Sequence, residues 1–284
     1  MTAGPGRIRP STGEYFLWGV AALFIIVPLG CFLAYGFFSV VDNAIVYRPS
    51  IGNFADLLSN ASYRATFLRT MRMALEVSAI NLVLGYATAY FIWLRPPGWR
   101  NFLVIALAIP LLMSYIIKIY AMRGVLGTNG LLNSALMTLG IVDEPVSALL
   151  FNLTAVRITL SVVLLPFMVL PIYIALERIP ASVLHAASDL GANELQTFAG
   201  IILPLSLPGG IVGAMFTFVL ASGDFLAPEL VGGIEGFTYG RLIFSQFGLA
   251  FNWPLGAALS ILLMCVALGV IYVARRLGNP RWQR

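Results

Sequence analysis

The chain of 284 residues is 60% hydrophobic and only 10% charged, with a mean hydropathy of +0.91 and a formal net charge of +5. A soluble globular domain carries about a quarter of its residues as charges, so this composition excludes that class and marks an integral membrane protein. The apolar runs are long and do not alternate, which excludes a membrane β-barrel and leaves an all-α protein.

Cut at its charged residues, the chain shows charge-free runs at Tyr15–Val41, Val77–Leu94, Asn101–Ile117, Ile158–Leu176, Leu195–Gly223 and Leu242–Ala274. Each holds a helix near the roughly 20 residues that cross a bilayer. The expected organisation is an N-terminal tail over 1–14, one membrane domain over 15–275, and a C-terminal tail over 276–284. Six transmembrane helices are predicted at 15–41, 69–94, 101–123, 155–176, 205–227 and 254–275. The first run, about 27 residues long, exceeds the apolar core of a signal peptide and is read as an anchor. Asp42 to Ala65 forms a loop with room for a short surface helix around Phe54–Leu58. Arg95-Pro96-Pro97-Gly98-Trp99-Arg100 is a tight turn, stopped by two prolines and a glycine. The run Gly124–Val142 carries Gly127, Asn129, Gly130 and Asn133, and predicts a turn followed by a short helix at the outer surface. Pro166 and Pro171 predict a kink in the fourth span, either as a structural bend or as the lining of a cavity. Cys31 and Cys265 fall mid-span and act as small apolar side chains.

With the N-terminus inside, the inner segments hold Arg7, Arg9, Arg95, Arg100, Arg178, Arg275, Arg276, Arg281 and Arg284, nine of the 17 basic residues. The count is nearly balanced, but the inner charges sit against span ends, where the positive-inside bias has force. Both termini are therefore expected in the cytoplasm. No GxxxxGK[ST] phosphate loop is present, and the only lysine, Lys118, lies between two isoleucines. No HExxH, no Ser/His/Asp set and no paired acids on one helix face appear, so the chain is expected neither to hydrolyse ATP nor to carry an active site.

Between the fourth and fifth spans, residues 177–204 include the polar segment HAASDLGANELQTFAGIILP, from His185 to Pro204. Small Ala186 and Ala187 permit close approach to a helix surface, and Gly191 can take a left-handed conformation that ends one helix and lets another leave at an angle. Pro204 is expected to open the fifth span, where a missing N–H does little harm. The spacing Ala186-Ala187, Gly191, Ile201-x-Leu203-Pro204 resembles the "EAA" loop by which membrane subunits of ATP-binding-cassette importers dock on an ATPase. The stretches Asn129–Asn133, Leu165–Tyr173, Gly223-Asp224-Phe225 with Pro228 and Gly232-Gly233, and Asn252-Trp253-Pro254 extend the likeness to the permease subunits of bacterial spermidine/putrescine importers, over about Asn53 to Ala274.

That resemblance implies a type I importer permease with cytoplasmic coupling helices, seated in a bacterial inner membrane. It also implies a second homologous permease, two ATPase subunits that bind the ATP and Mg, and a periplasmic or lipid-anchored binding protein. This chain would bind no cofactor or metal itself, and its surroundings would be lipid, not nucleic acid. The coupling residues carried over are His185, Ala186, Ala187, Asp189, Gly191, Ile201, Leu203 and Pro204. Two positions depart from the family pattern: His185 stands where the loop begins with Glu, and Met122 where a tryptophan is common. The implied cargo is a small organic cation, with polyamines favoured over amino-acid derivatives, opines, phosphonates, thiamine or iron; a stand-alone secondary transporter is the competing class. Asp224 and Glu229 would attract ammonium groups, and Tyr115, Tyr120 and Tyr173 offer stacking faces. For Asp224 a bracing role at the outer gate stands equally open, and Lys118 and Arg123 are expected to pair with acids or face headgroups.

Overall fold

The computed structural model describes residues 12–41 and 44–278, so Arg7, Arg9, Arg281 and Arg284 of the charge argument, with Asp42 and Asn43, lie outside the described residues. The chain divides into two compact units, one of residues 1–59 and 245–262, the other of residues 60–244 and 263–284.

In the first unit, helix α1 (Thr12–Tyr35) ends six residues before the boundary predicted at Val41. Strands β1 (Ser39–Val41) and β2 (Ala44–Val46) follow, antiparallel, with Ser39 opposite Val46 and Val41 opposite Ala44. Hydropathy placed Val40 and Val41 in the helix, but the chain turns at Gly36, where an added Cβ would lie 2.8 Å from Ile261 Cδ1. The carbonyls freed there are taken up by the side chain of Asn53, whose Nδ2 donates to Gly36 O at 3.1 Å and Phe38 O at 2.7 Å. Asn53 lies on α2 (Gly52–Ser59). Around this turn, Phe37 meets Phe54 and Phe38 meets Tyr47 at centroid distances of 5.2 and 5.3 Å.

The second unit is built on three long helices. The first, α3 (Ala61–Trp93), starts eight residues before the predicted Arg69, because Asn60 accepts from Ser62 N and caps it early. The predicted third span is broken into α4 (Pro97–Leu112) and α5 (Tyr115–Leu126), and the direction changes by 99° between Pro97–Leu112 and Tyr115–Thr138. Pro110 is the cause: it lacks an N–H and crowds its preceding turn, after which Met113 and Ser114 are extended, with ψ of 148° and 133°. A turn then leads to α6 (Leu131–Thr138), ended by Gly140 at φ +66°. Next comes α7 (Leu153–Glu177), which runs on through Pro166 and Pro171.

Two short helices, α8 (Ala181–Asp189) and α9 (Glu194–Thr197), precede a π turn (Phe198–Ile202) and α10 (Leu203–Gly223). Pro204 therefore does not open a helix, since helical backbone is continuous from Glu194 to Gly223. Its absent N–H and its crowding of the Gly200 carbonyl are accommodated by the wide turn, in which Leu203 N bonds Phe198 O. This helix stops at Gly223, four residues short of the predicted Ala227, and α11 (Leu226–Val231) follows as a separate element. The last helices are α12 (Tyr239–Gly248) and α13 (Trp253–Leu277).

Among the described residues four helices are long and apolar enough to cross a membrane: α3, α7, the continuous Glu194–Gly223 helix and α13. The bent α4 and α5–α6 pair makes a fifth if it is one span, and α1 carries a shorter apolar stretch, Ala22–Tyr35.

Helices α3, α7 and α10 meet through glycine. A Cβ at Gly209 would lie 2.5 Å from Pro171 O and 2.7 Å from Ala175 Cβ. One turn on, a Cβ at Gly213 would lie 2.7 Å from Met168 Sδ and 3.0 Å from its carbonyl oxygen, and one at Gly85 of α3 would lie 2.5 Å from Met168 Cγ. Gly209 and Gly213 are four apart, the spacing that lets two helix backbones approach closely inside lipid. On one side of Met168 lies an apolar cluster with Met73, Val77, Leu160, Leu164 and Ala221, and Met168 itself belongs to a second with Ile92, Ile172, Leu176 and Ile202.

Gly209→Ala should therefore lower the thermal stability of the detergent-solubilised protein by roughly 1–3 kcal/mol of overpacking. Gly200→Ala, whose Cβ would meet nothing within 4 Å, should leave it unchanged. Equal melting temperatures for the two variants would refute the close contact.

Candidate functional site

The polar segment forms an elbow. Helix α8 is held to the bundle by one face: Ala187 is buried and Leu184 packs on the cluster of Ile172 and Leu176, which buried Ile179, just before the helix, also joins. The opposite face carries His185, Ala186 and Asp189, all exposed. Gly191 has φ +78° and closes α8 in a Schellman turn, its N–H donating to Ser188 O at 2.9 Å and that of Ala192 to Ala187 O at 3.0 Å. Two residues later Asn193 opens α9 with a capping box: its Oδ1 accepts from Gln196 N at 2.8 Å, and its own N–H donates to Gln196 Oε1 at 2.9 Å. The N-x-x-Q spacing at Asn193 was the signal for this start, and reading the segment by its glycine alone missed it. Back-to-back caps fix where one helix ends and the next begins. Leu190 and Leu195, 89% and 74% exposed, flank the bend as apolar knobs. Of the remaining coupling residues, Ile201 is half-buried while Leu203 and Pro204 are exposed. The base of the elbow is tied to the α3–α4 turn by Arg100, which pairs with Glu177 at 2.6 Å and donates to Trp93 O at 2.6 Å.

A second constellation surrounds the end of α10. Asp224 uses both carboxylate oxygens: Oδ1 caps α11 by accepting from Ala227 N at 2.7 Å, and Oδ2 accepts from the Tyr115 hydroxyl. Its carbonyl is pressed by Gly240, where a Cβ would lie 2.5 Å away. Glu229 pairs with Arg241 at 2.5 Å, and Arg241 also donates to Gly233 O at 2.6 Å. The segment is fastened to α3 through Arg69, which donates to Phe237 O at 2.5 Å, and Thr70, whose hydroxyl accepts from Tyr239 N at 2.8 Å. Phe225 stacks on Phe244, with ring centroids 4.4 Å apart. Asp224 and Tyr115 are thus brought together, and the geometry is that of a brace.

Among the described residues, Tyr120, Tyr173 and Arg123 share no hydrogen bond, ion pair or ring contact with this pair, whereas Lys118 lies against Tyr115. Tyr120 is exposed, and Tyr173 packs in the Ile172–Leu176 cluster toward the elbow. Lys118 lies over the Tyr115 ring at 5.4 Å and Arg123 over Phe151 at 5.5 Å, so each cation rests on a ring face and, among the described residues, neither pairs with an acid, one of the two settings expected. Arg241 is the partner that sequence reasoning missed, since it stands 12 positions from Glu229 on the next helix, beyond a loop.

Gly191→Val should speed amide exchange at residues 191 and 192 without unfolding the bundle, because only the positive φ is lost, at a cost of about 1–3 kcal/mol. Gly191→Asn, which tolerates left-handed backbone, should retain most of the protection; equal exchange in both variants would remove the turn as the cause. For the brace, Asp224→Ala and Tyr115→Phe should be non-additive in thermal stability, coupling by about 0.5–3 kcal/mol. Strict additivity would mean that the two side chains act independently.

Residues 81–281 match the family of binding-protein-dependent transport system inner membrane components. The chain is 37% identical over 267 residues to the spermidine/putrescine transport system permease protein PotB of Escherichia coli K12, covering 93% of this chain and 96% of that one. It is 35% identical to the inner membrane ABC transporter permease protein YdcU of the same organism, covering 95% and 91%. In fold it resembles a chain of a bacterial ABC transporter involved in import of the acidic polysaccharide alginate, with a TM-score of 0.71 at 16% identity and coverage of 94% and 96%. A chain of the MetNI methionine ABC transporter gives a TM-score of 0.58 at 17% identity, covering 78% and 98%.

Proposed function

The chain belongs to the family of binding-protein-dependent transport system inner membrane components, the permeases of ABC importers, and on that premise we propose that it carries polyamines into the cell. The observation that bears most weight is the 37% identity to a spermidine/putrescine permease over 93% of the chain. Hydrolysis of ATP belongs to separate subunits, and a binding protein delivers the cargo. The full assembly of this proposal pairs the chain with a second homologous permease over two ATPases, with six spans and both termini in the cytoplasm.

In this reading the elbow from Pro180 to Phe198 is the lever. Closure of the ATPase pair moves α8 and α9, and the continuous Glu194–Gly223 helix carries that motion to the Asp224 brace at its far end. A conformational change of this kind is a shift between two packed arrangements, biased by whichever state ATP binding favours. His185, exposed on α8, replaces the family's acidic residue, so docking there rests on apolar Leu190 and Leu195 and on the shape of the bend. Of the two acids, Glu229 keeps 42% of its side chain exposed beside Arg241 and is the one able to meet an ammonium group. Asp224 is already engaged by Tyr115 and α11. The ring faces of Tyr120 and Tyr173 complete the proposed path.

The test is uptake of radiolabelled putrescine and spermidine by proteoliposomes holding the complete transporter and its binding protein, with a neutral sugar as control. ATP-dependent uptake of the polyamines and not the sugar is expected, with Glu229→Gln lowering it several-fold and leaving assembly intact. Failure of the wild type to take up either polyamine would reject the cargo.

A further inference from the structure

One cavity lies outside both constellations. It is an open groove between α3 and the start of the Glu194–Gly223 helix, has a volume of about 600 Å³, and is lined by Tyr86, Tyr90, Phe198 and Glu194, with exposed Val83, Ala87 and Leu195 along its edges. The aromatic rings are set at steep angles to one another: Tyr86 and Phe198 at 87° with centroids 5.9 Å apart, Tyr90 and Phe198 at 72° and 5.2 Å. Tyr86 is fixed by a hydrogen bond of 2.6 Å between its hydroxyl and that of Ser206, whose own hydroxyl donates to Ile202 O at 2.7 Å. Glu194, in the first turn of α9, supplies a carboxylate at the rim, and it makes no ion pair among the described residues.

We propose that this cavity is a binding site for an alkylammonium ion. Rings inclined at such angles present faces and edges toward a common space, and a cation over a ring face is attracted by its quadrupole. Small Val83 and Ala87 leave room for methylene groups, and the carboxylate supplies the counter-charge that a neutral or anionic guest would not seek. The residues come from two elements that meet only in the fold, α3 and the π-turn helix. A bound cation therefore bridges them, directly above the capping box that sets the elbow. Occupancy holds α9 against α3 and favours one setting of the lever, so an amine on this face slows the transport cycle. That this face is cytoplasmic, and that the regulating amine is the released cargo, rests on the transporter reading above; the chemistry of the cage does not.

The same ammonium chemistry occurs in a free amine and in an ethanolamine lipid headgroup, and the two sources are separable. The complete transporter in a neutral maltoside detergent is tested for binding of radiolabelled tetramethylammonium and spermidine, with and without added phosphatidylethanolamine. Wild type should bind both cations, Tyr90→Phe should keep the affinity, and Tyr90→Leu and Glu194→Gln should each weaken it about fivefold, the range expected for loss of one ring face or one screened charge. Glu194 is exposed, so its variant reports on the cage without a folding defect. Loss of cation binding on adding the lipid assigns the cage to headgroups, and unchanged binding assigns it to free amines. No binding by wild type, or the same affinity in all variants, overturns the proposal. A complex that takes up no polyamine yet shows this variant pattern rejects the cargo and leaves the cage standing.

Discussion

Met168 occupies the space that Gly85 on α3 and Gly213 on α10 leave open, and the arrangement of the larger unit follows from that contact. Inside a bilayer the solvent is as apolar as a leucine side chain, so burying apolar surface between helices gains little, and close van der Waals packing has to supply the cohesion. Close packing needs backbones near one another, which is what the glycines at 85, 209 and 213 permit. Once α7 and α10 are held at that distance, the helix ends have nowhere to diverge. At one end Asp224 meets Tyr115, and at the other Ile202 joins the cluster of Ile172 and Leu176 beneath the elbow.

The charges obey the same economy. Several of those described beside the apolar spans are paired: Glu76 bridges Arg72 and Arg157 at 2.9 and 2.6 Å, Arg100 holds Glu177, and Arg241 holds Glu229. Where no acid is at hand an aromatic face serves, as with Arg95 over Phe91 at 4.0 Å and Arg276 over Tyr272 at 5.1 Å. The exposed pairs add little to stability, since Arg72 is 79% exposed and such bridges are worth about 0–1 kcal/mol. Their value is positional. Arg100 links the α3–α4 turn to the foot of α7, and Arg69 fastens the Phe237 loop to α3, so the elbow and the opposite end are tied to the same long helices.

Continuity between Glu194 and Gly223 joins the elbow to the Asp224 constellation. A proline at the start of a separate helix would have insulated the elbow from the span, whereas the π turn at Phe198–Ile202 lets Pro204 sit within one rod. The turn is wider than an α-helical one and brings Phe198 toward Tyr86 and Tyr90, so the same local expansion that admits the proline also shapes the aromatic cavity.

Hydropathy by itself determined that this is an all-α membrane protein and where its apolar runs lie, because partition into lipid depends on composition over about 20 residues and hardly on neighbours. The glycine at 191 was legible for a similar reason: positive φ is a local demand that few residues other than glycine meet cheaply. Helix ends were not legible, since they depend on which group takes up the last carbonyls or first amides. The side chain of Asn53 does this for the end of α1, 17 residues from Gly36, and no local pattern announces it. The break at Met113–Ser114 follows Pro110, yet α7 runs unbroken through Pro166 and Pro171, so a proline in an apolar run does not by itself announce where a helix ends. Asp224 shows the limit most plainly: an acid beside a span reads equally as a ligand for cations and as a brace, and only the folded chain sets Tyr115 and the Ala227 amide against its two oxygens.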